Sequence, residues 1–173
     1  MQWLQDVVVV ILIIIFIVGI LVTNKDQGNM KINGSKRLPY KLKDDFLTDT
    51  ERSFYHSLKQ CVGDNAVICP KVGLKDIFFI GKGIGQDYMK FLGKIAQKHV
   101  DFLLCDPSTM KPLCGIELDD LSHTNKKTHE QDLFVEKVYQ DANLELIRIS
   151  SKYTIADIET ALMGVFDSPK RSL

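Results

Sequence analysis

The stretch that decides the fold is His99–Asp119, with the sequence HVDFLLCDPSTMKPLCGIELD. Its two apolar runs, His99–Cys105 and Leu113–Asp119, have the length and the composition of β-strands. The segment between them, DPSTMKP, carries the Asp, Pro and Ser residues that are typical of a turn. The sequence therefore predicts an antiparallel hairpin.

Acidic side chains cluster in this hairpin. If it is centred near Thr109, Asp101 lies across from Glu117, and Glu117 shares one face of its strand with Asp119 because side chains alternate along a strand. Three neighbouring carboxylates are costly unless a cation or a proton offsets their charge. Oxygen ligands of this kind suit Mg²⁺ or Mn²⁺. The alternative is that Asp119 and Asp120 lie in a solvated turn and that only Asp101 and Glu117 are close.

The chain around the hairpin predicts the remaining elements of one small α/β domain. Thr48-x-x-Glu51 is a capping-box pattern that marks the start of a helix. Pro70 predicts an edge position or a bulge for the strand that contains it. Apolar periodicity predicts helices over residues 50–62, 87–97, 128–143 and 154–166, and strands over residues 66–74 and 144–149.

Two of these helices have an apolar face that is expected to point inward. In the helix over residues 87–97 that face consists of Tyr88, Phe91, Leu92 and Ile95. In the helix over residues 128–143 it consists of Leu133, Phe134, Val138 and Ala142.

The N-terminal segment contains a long run without charge, Val7–Val22, with the sequence VVVVILIIIFIVGILV. As a helix this run covers about 24 Å, and adding Trp3, Leu4 and Gln5 on one side and Thr23 on the other extends it to about 31 Å, with Asp6 near the interface. No Lys or Arg precedes it, as one would in a cleaved signal peptide. We therefore expect one uncleaved transmembrane helix over residues 1–23.

Flanking charge predicts how this segment is oriented. Only Asp6 precedes the run, whereas six Lys or Arg residues follow it before residue 44, so the positive-inside rule places the C-terminal part in the cytoplasm. The expected organisation is a transmembrane helix over residues 1–23, a flexible linker over 24–45, an α/β domain over 46–166 and a tail over 167–173.

Overall composition says little about partners. The chain has 173 residues, with 22 Lys plus Arg and 22 Asp plus Glu, so its net charge neither favours nor excludes nucleic acid. The four cysteines, Cys61, Cys69, Cys105 and Cys114, form no CxxC pair, which argues against a zinc site and indicates thiols in a reducing compartment.

The motifs HVDFLLCD and IELDDLSH, preceded by TERSF and CPKVGL, resemble the PD-(D/E)XK phosphodiesterase superfamily. Within it they look like a bacterial branch known as domain of unknown function 2726, which is similar to very-short-patch-repair endonucleases. The resemblance covers about Leu47–Phe166. It implies a restriction-endonuclease-like core, with a central mixed sheet and flanking helices. It also implies a metal-dependent nuclease that uses Mg²⁺ or Mn²⁺, with DNA favoured over RNA as the expected substrate.

The resemblance also implies roles for single residues. Asp101 and Glu117 correspond to the metal-binding carboxylates, and Glu51 matches a glutamate that often completes the metal site. Asp119 stands where the superfamily usually has a Lys that helps to orient the attacking water. It is a candidate catalytic residue and a further acidic metal ligand, although it cannot supply the positive charge of that Lys. Lys71, on a neighbouring strand, is the candidate for the missing catalytic cation.

Each of the remaining candidates has a purely structural alternative. Glu51 closes the predicted capping box, and Lys71 could be an ordinary surface lysine. His123 is a candidate general acid or base, or else a hydrogen-bonded loop histidine. Arg148, the only cation in LELIRI, could contact phosphate or pair with a carboxylate.

Two functions follow from these features. The first is a single-pass protein of the bacterial inner membrane, with its N-terminus outside and a cytoplasmic nuclease domain. The second is a nuclease-like module without catalysis that binds nucleic acid or a protein partner at the membrane. The Asp at position 119 favours the second, whereas the presence of both Asp101 and Glu117 favours the first.

Overall fold

The computed structural model describes residues 2–23, 37–119 and 126–166. The chain divides into two compact units, Met1–Asp44 and Asp45–Leu173. Residues 24–36, most of the predicted linker, and the predicted tail over 167–173 lie outside the described residues, while residues 37–45 form neither helix nor strand.

The first unit contains helix α1 (Gln2–Thr23), in which the side chains from Val10 to Val18 are exposed. The predicted transmembrane helix over residues 1–23 is wrong, because no helix in the described part of the chain is long and apolar enough to cross a membrane. The physical reason is that the charge-free run covers about 24 Å, whereas the hydrocarbon core of a bilayer is about 30 Å thick. The N-terminal flank that would lengthen the run carries Asp6.

The second unit is a mixed α/β domain around a four-stranded sheet. Its strands are β1 (Val67–Gly73), β2 (His99–Cys105), β3 (Pro112–Asp119) and β4 (Glu145–Ser150), and they lie in the order β1-β2-β3-β4. The first two pairs are antiparallel and the last is parallel. The strand containing Pro70 is at the edge, as its missing N–H predicts.

The predicted hairpin is confirmed, including its register. Phe102 pairs with Ile116 and Leu104 with Cys114, and a bulge follows at Cys105, where the turn begins. Asp106 organises that turn, because its Oδ1 accepts hydrogen bonds from the backbone N–H groups of Ser108 at 3.0 Å and Thr109 at 2.8 Å.

The helices cover both faces of this sheet. Beyond α1 they are α2 (Asp49–Val62), α3 (Leu74–Ile77), α4 (Tyr88–Ile95), α5 (Lys126–Asp141) and α6 (Ile155–Leu162), with a 3-10 turn at Gly85–Asp87. The capping box at Thr48 is confirmed, and Thr154 forms a second one with Asp157 at the start of α6. Each box satisfies backbone donors that a helix start leaves free.

The alternation of side chains along β2 divides the core in two. Phe102 and Leu104 pack on one side with α2 and α6, in a cluster that includes Phe54 and Ile158. On the other side, Leu103 and Cys105 pack with Val135 and Tyr139 of α5. Because both faces are buried, the strand reads as a nearly continuous apolar run.

The predicted inner faces of two helices need correction. In α4 only Ile95 is buried, and Tyr88 and Phe91 are exposed. Among the residues of α5 whose burial is described, Val135 and Tyr139 are buried and Leu133 is exposed. Phe134 and Val138 of the predicted face do pack against the same core, but they are only partly buried. The apolar residues of α5 lie on two neighbouring stripes of the helix surface, and either stripe could face the sheet. The stripe that contains Tyr139 does so, because Tyr139 packs against Gly115.

Candidate functional site

A row of four charged residues, one from each strand, crosses the sheet at one level. The register of β3 and β4 pairs Glu117 with Arg148. Between β1 and β2, the residues before and after Lys71 pair with those after and before Asp101, so Lys71 lies across from Asp101. The register of the hairpin places Asp101 opposite Glu117. The row therefore has two carboxylates in the centre and one cation at each end.

Asp101 is the first carboxylate of the row and lies partly buried in β2. Its Oδ2 accepts a hydrogen bond of 2.9 Å from the backbone N–H of Leu118. Burial raises the pKa of Asp101, the nearby charges of Glu51 and Asp119 raise it further, and the Leu118 hydrogen bond and Lys71 oppose the shift. This carboxyl is thus fixed in position next to other negative charge.

Glu117 is the second carboxylate, and its side chain is only 17% exposed. Burial raises its pKa to about 6; Asp101 and Asp119 add to the shift, and Arg148 opposes it. A glutamate in this setting titrates close to neutral pH, as is typical of functional sites. The positive charge of Arg148 therefore does not fully offset the cost of burying a carboxylate here.

Arg148 is the cation that three carboxylates share. Its Nη1 lies 2.8 Å from Oδ1 of Asp119 and 3.1 Å from Oε2 of Glu117, while its Nε donates to Oε1 of Glu136 at 3.1 Å. The guanidinium remains protonated in this setting, because the carboxylates raise its pKa against the effect of burial. Of the two alternatives for Arg148, the structure shows the pairing with carboxylates.

Lys71 and Glu51 form a second, separate ion pair at 2.6 Å between Nζ and Oε1. The other oxygen of Glu51 accepts from the backbone N–H of Thr48 at 2.8 Å, so one side chain closes the cap and also holds Lys71. Burial raises the pKa of Glu51, but the hydrogen bonds from Lys71 and Thr48 outweigh it and keep that pKa below its usual range. Lys71 itself has a φ of 52°, a left-handed conformation within a strand.

The predicted site residues therefore fall into two groups. Glu51, Lys71, Asp101, Glu117 and Asp119 come together at one end of the sheet, where each either shifts the pKa of another member of the group or has its own pKa shifted by one. His123 and Asp120 lie outside the described residues.

Two residues of α5 belong to this neighbourhood although the sequence did not single them out. Glu136 binds Arg148, and Tyr139, three residues later on the same helix face, packs against Gly115. A Cβ at Gly115 would lie 2.5 Å from Oη of Tyr139, so only glycine leaves room for this ring. A glycine inside a strand was the available signal for such a close approach.

The donor set fits a magnesium or manganese ion in one particular manner. No group of three or more His, Cys, Asp or Glu side chains within residues 2–23, 37–119 and 126–166 is arranged to hold a metal by itself. Mg²⁺, however, commonly takes one or two protein carboxylates and completes its shell with water and substrate phosphate. Asp101 and Glu117, adjacent across β2 and β3, provide such a pair.

Residues 43–165 match the model of a family described as "Protein of unknown function (DUF2726)". No curated protein and no solved structure matches the chain.

Proposed function

We propose that this chain, which belongs to the DUF2726 family of proteins of unknown function, is a metal-dependent nuclease that hydrolyses the phosphodiester bonds of DNA. The proposal includes membership of the PD-(D/E)XK superfamily and a likeness to very-short-patch-repair endonucleases, as the motifs around Asp101 and Glu117 imply. Its active site would be the charged row at the end of the sheet.

One observation carries the proposal: Asp101 and Glu117 lie next to each other on neighbouring strands, and burial and like charge raise the pKa of both. Such an arrangement costs folding free energy, which the hydrogen bond from Leu118 and the ion pair with Arg148 offset only in part. A divalent cation would offset that cost, and sites of this type are where proteins place catalytic chemistry.

In the proposed active site, Asp101 and Glu117 would both be metal ligands. Asp101 is oriented through Leu118, which holds Oδ2 and leaves Oδ1 without a hydrogen bond to the described residues. Glu117 would be the second ligand and the group that changes its protonation near pH 6. When bound, Mg²⁺ or Mn²⁺ would lower the pKa of a water molecule and polarise the phosphodiester.

The other candidates have supporting roles in this proposal. Asp119 cannot act as a cation, and its Oδ1 lies 2.8 Å from the same Nη1 of Arg148 that lies 3.1 Å from Oε2 of Glu117. Lys71 is tied to Glu51 and reaches Asp101 only through its charge. His123 stays a candidate general acid or base on the sequence alone.

A second function is favoured by the same arginine. Arg148 already pairs with Glu117 and Asp119, so the carboxylates have a protein cation beside them. A module that binds nucleic acid or a protein partner without cutting would keep this network as structure. In that case Glu117 could be neutralised without loss of function.

A plasmid-nicking assay on the full chain separates the two functions. Wild type, Asp101→Asn and Glu117→Gln are compared in Mg²⁺ and in Mn²⁺, with Glu145→Gln as the control because Glu145 is an exposed glutamate on β4. The nuclease proposal predicts nicking by wild type and control, and loss of nicking in both site variants. Equal activity in all four proteins would contradict it, and a wild type that binds DNA without nicking would favour the second function.

A further inference from the structure

The carboxylates around Arg148 carry more negative charge than this one cation can neutralise. Glu117, Asp119 and Glu136 all contact it, and Asp101 adds a fourth carboxylate to the field at Glu117. The nearest other cation of the row, Lys71, already pairs with Glu51. The cluster therefore has a surplus of negative charge even with Arg148 in place.

Arg148 lies directly beside Glu117, one of the two proposed metal ligands. It is the register partner of Glu117 on the neighbouring parallel strand, and a single nitrogen, Nη1, serves both Glu117 and Asp119. Because Nη1 lies 3.1 Å from Oε2 of Glu117, a divalent ion bound to that carboxylate would lie close to the positive charge of the guanidinium and would be repelled by it.

The guanidinium is also incompletely satisfied where it is. Its Nη2 is buried and has no hydrogen-bond partner among the described residues, and the same is true of Oη of Tyr139. Tyr139 is 1% exposed and lies in the field of Glu117. Buried donors without an acceptor are uncommon and costly, so part of the stabilisation that the three carboxylates give Arg148 is lost at Nη2.

We infer that Arg148 is an internal counter-cation that competes with a divalent metal ion for Glu117 and thereby limits the metal affinity of the site. This inference rests on the proposed function, because it assumes that Asp101 and Glu117 bind the metal. Arg148 is in this sense a residue that sets affinity, and it need not touch the substrate.

The expected effect follows from electrostatics. A unit charge and a divalent ion a few ångströms apart repel each other, even when their interaction is screened as strongly as in water. Replacing Arg148 by a neutral residue removes that repulsion and leaves the oxygens of Glu117 and Asp119 to the metal. The affinity for Mg²⁺ should therefore increase on the order of tenfold.

Calorimetry at pH 8 with MgCl₂ tests this in the full chain. Wild type, Arg148→Gln and Arg52→Gln are compared, since Arg52 is an exposed arginine that pairs with two aspartates away from the row. We expect tighter Mg²⁺ binding in Arg148→Gln and unchanged binding in Arg52→Gln. Arg148→Gln that binds no more tightly than wild type overturns the inference and leaves the proposed function standing.

The other outcomes also decide between the two claims. Binding by Arg148→Gln but not by wild type would support the competition and contradict a metal-dependent wild-type activity, and absence of binding in every protein would overturn both.

If Arg148→Gln does not fold, ¹⁵N spectra of the arginine side chains of wild type replace it. The Arg148 signal, one of four arginines and assigned through Arg148→Lys, should shift as Mg²⁺ is added. An unchanged Arg148 signal in a protein that binds Mg²⁺ would refute the inference.

Discussion

Glu117 should make the protein less stable at neutral pH than it is at mildly acidic pH. Its pKa in the folded chain is about 6, against 4.5 for an ordinary glutamate, because the side chain is buried beside other carboxylates. The folded state therefore holds more protons than the unfolded state between these two values, and stability falls as pH rises through that window. Above pH 6 the full cost of the charged carboxylate is present.

The size of this cost follows from the shift in pKa. A difference of about 1.5 units corresponds to about 2 kcal/mol, and Glu117 is buried enough for little of that to be lost to solvent screening. Glu117→Gln removes the charge and keeps the shape of the side chain. It should therefore raise the free energy of unfolding at pH 8 by up to about 2 kcal/mol.

Urea unfolding of the metal-free full chain, followed by far-UV circular dichroism at pH 8 and at pH 4.5, measures this difference. The variant should be more stable than wild type at pH 8 and nearly equal to it at pH 4.5, where Glu117 is protonated in the folded state and about half protonated in the unfolded state. Glu145→Gln, which neutralises an exposed glutamate, should change neither value by more than a few tenths of a kcal/mol. A Glu117→Gln protein that is less stable at pH 8 would show that the pairing with Arg148 outweighs burial, and it would refute the reasoning.

Three further predictions concern the packing around the site. Gly115→Ala should cost about 1–3 kcal/mol in urea unfolding, because its Cβ would lie 2.5 Å from Oη of Tyr139, and a variant as stable as wild type would contradict the contact. Tyr139→Phe should be neutral or stabilising by itself, because it removes a buried hydroxyl without a hydrogen-bond partner among the described residues. It should recover little of the loss in Gly115→Ala, because ring atoms Cε1 and Cζ would still lie 2.7 and 2.8 Å from the added Cβ. Cys105 and Cys114 are buried, and burial raises their pKa values to about 11 and about 12. Iodoacetamide at pH 8 should therefore modify them only after unfolding. Alkylation of either thiol in the native protein, detected by mass spectrometry, would disprove this. Thr48→Ala removes a capping-box hydrogen bond to α2 and should lower the free energy of unfolding by about 1 kcal/mol. An unchanged thermal unfolding curve would show that the box contributes nothing to stability.

The hairpin was predictable because the information that forms it is local. A turn rich in Asp, Pro and Ser fixes the centre, the alternation of side chains fixes the face, and together they place Asp101 beside Glu117. The capping box at Thr48 and the edge position of Pro70 were predictable for the same reason, since each depends on the chemistry of a few neighbouring residues.

The surroundings of that pair depend on contacts between distant segments, and the sequence did not define them. Arg148 reaches Glu117 only because β4 pairs in parallel with β3, and Glu136 joins them through the rotation of α5 about its own axis. Apolar residues of α5 on two neighbouring stripes left that rotation open, and Tyr139 over Gly115 fixes it. The N-terminal helix was predictable as a helix, but its charge-free run is shorter than the span it was assigned.

The most direct test of the central claim is calorimetric titration of Mn²⁺ into the full chain, as wild type and as the double variant Asp101→Asn/Glu117→Gln, in the absence of nucleic acid. We expect saturable binding of Mn²⁺ by wild type and none by a double variant that remains folded by circular dichroism. Binding of equal affinity in both proteins, or no binding by either, would contradict a metal site at the paired carboxylates of β2 and β3.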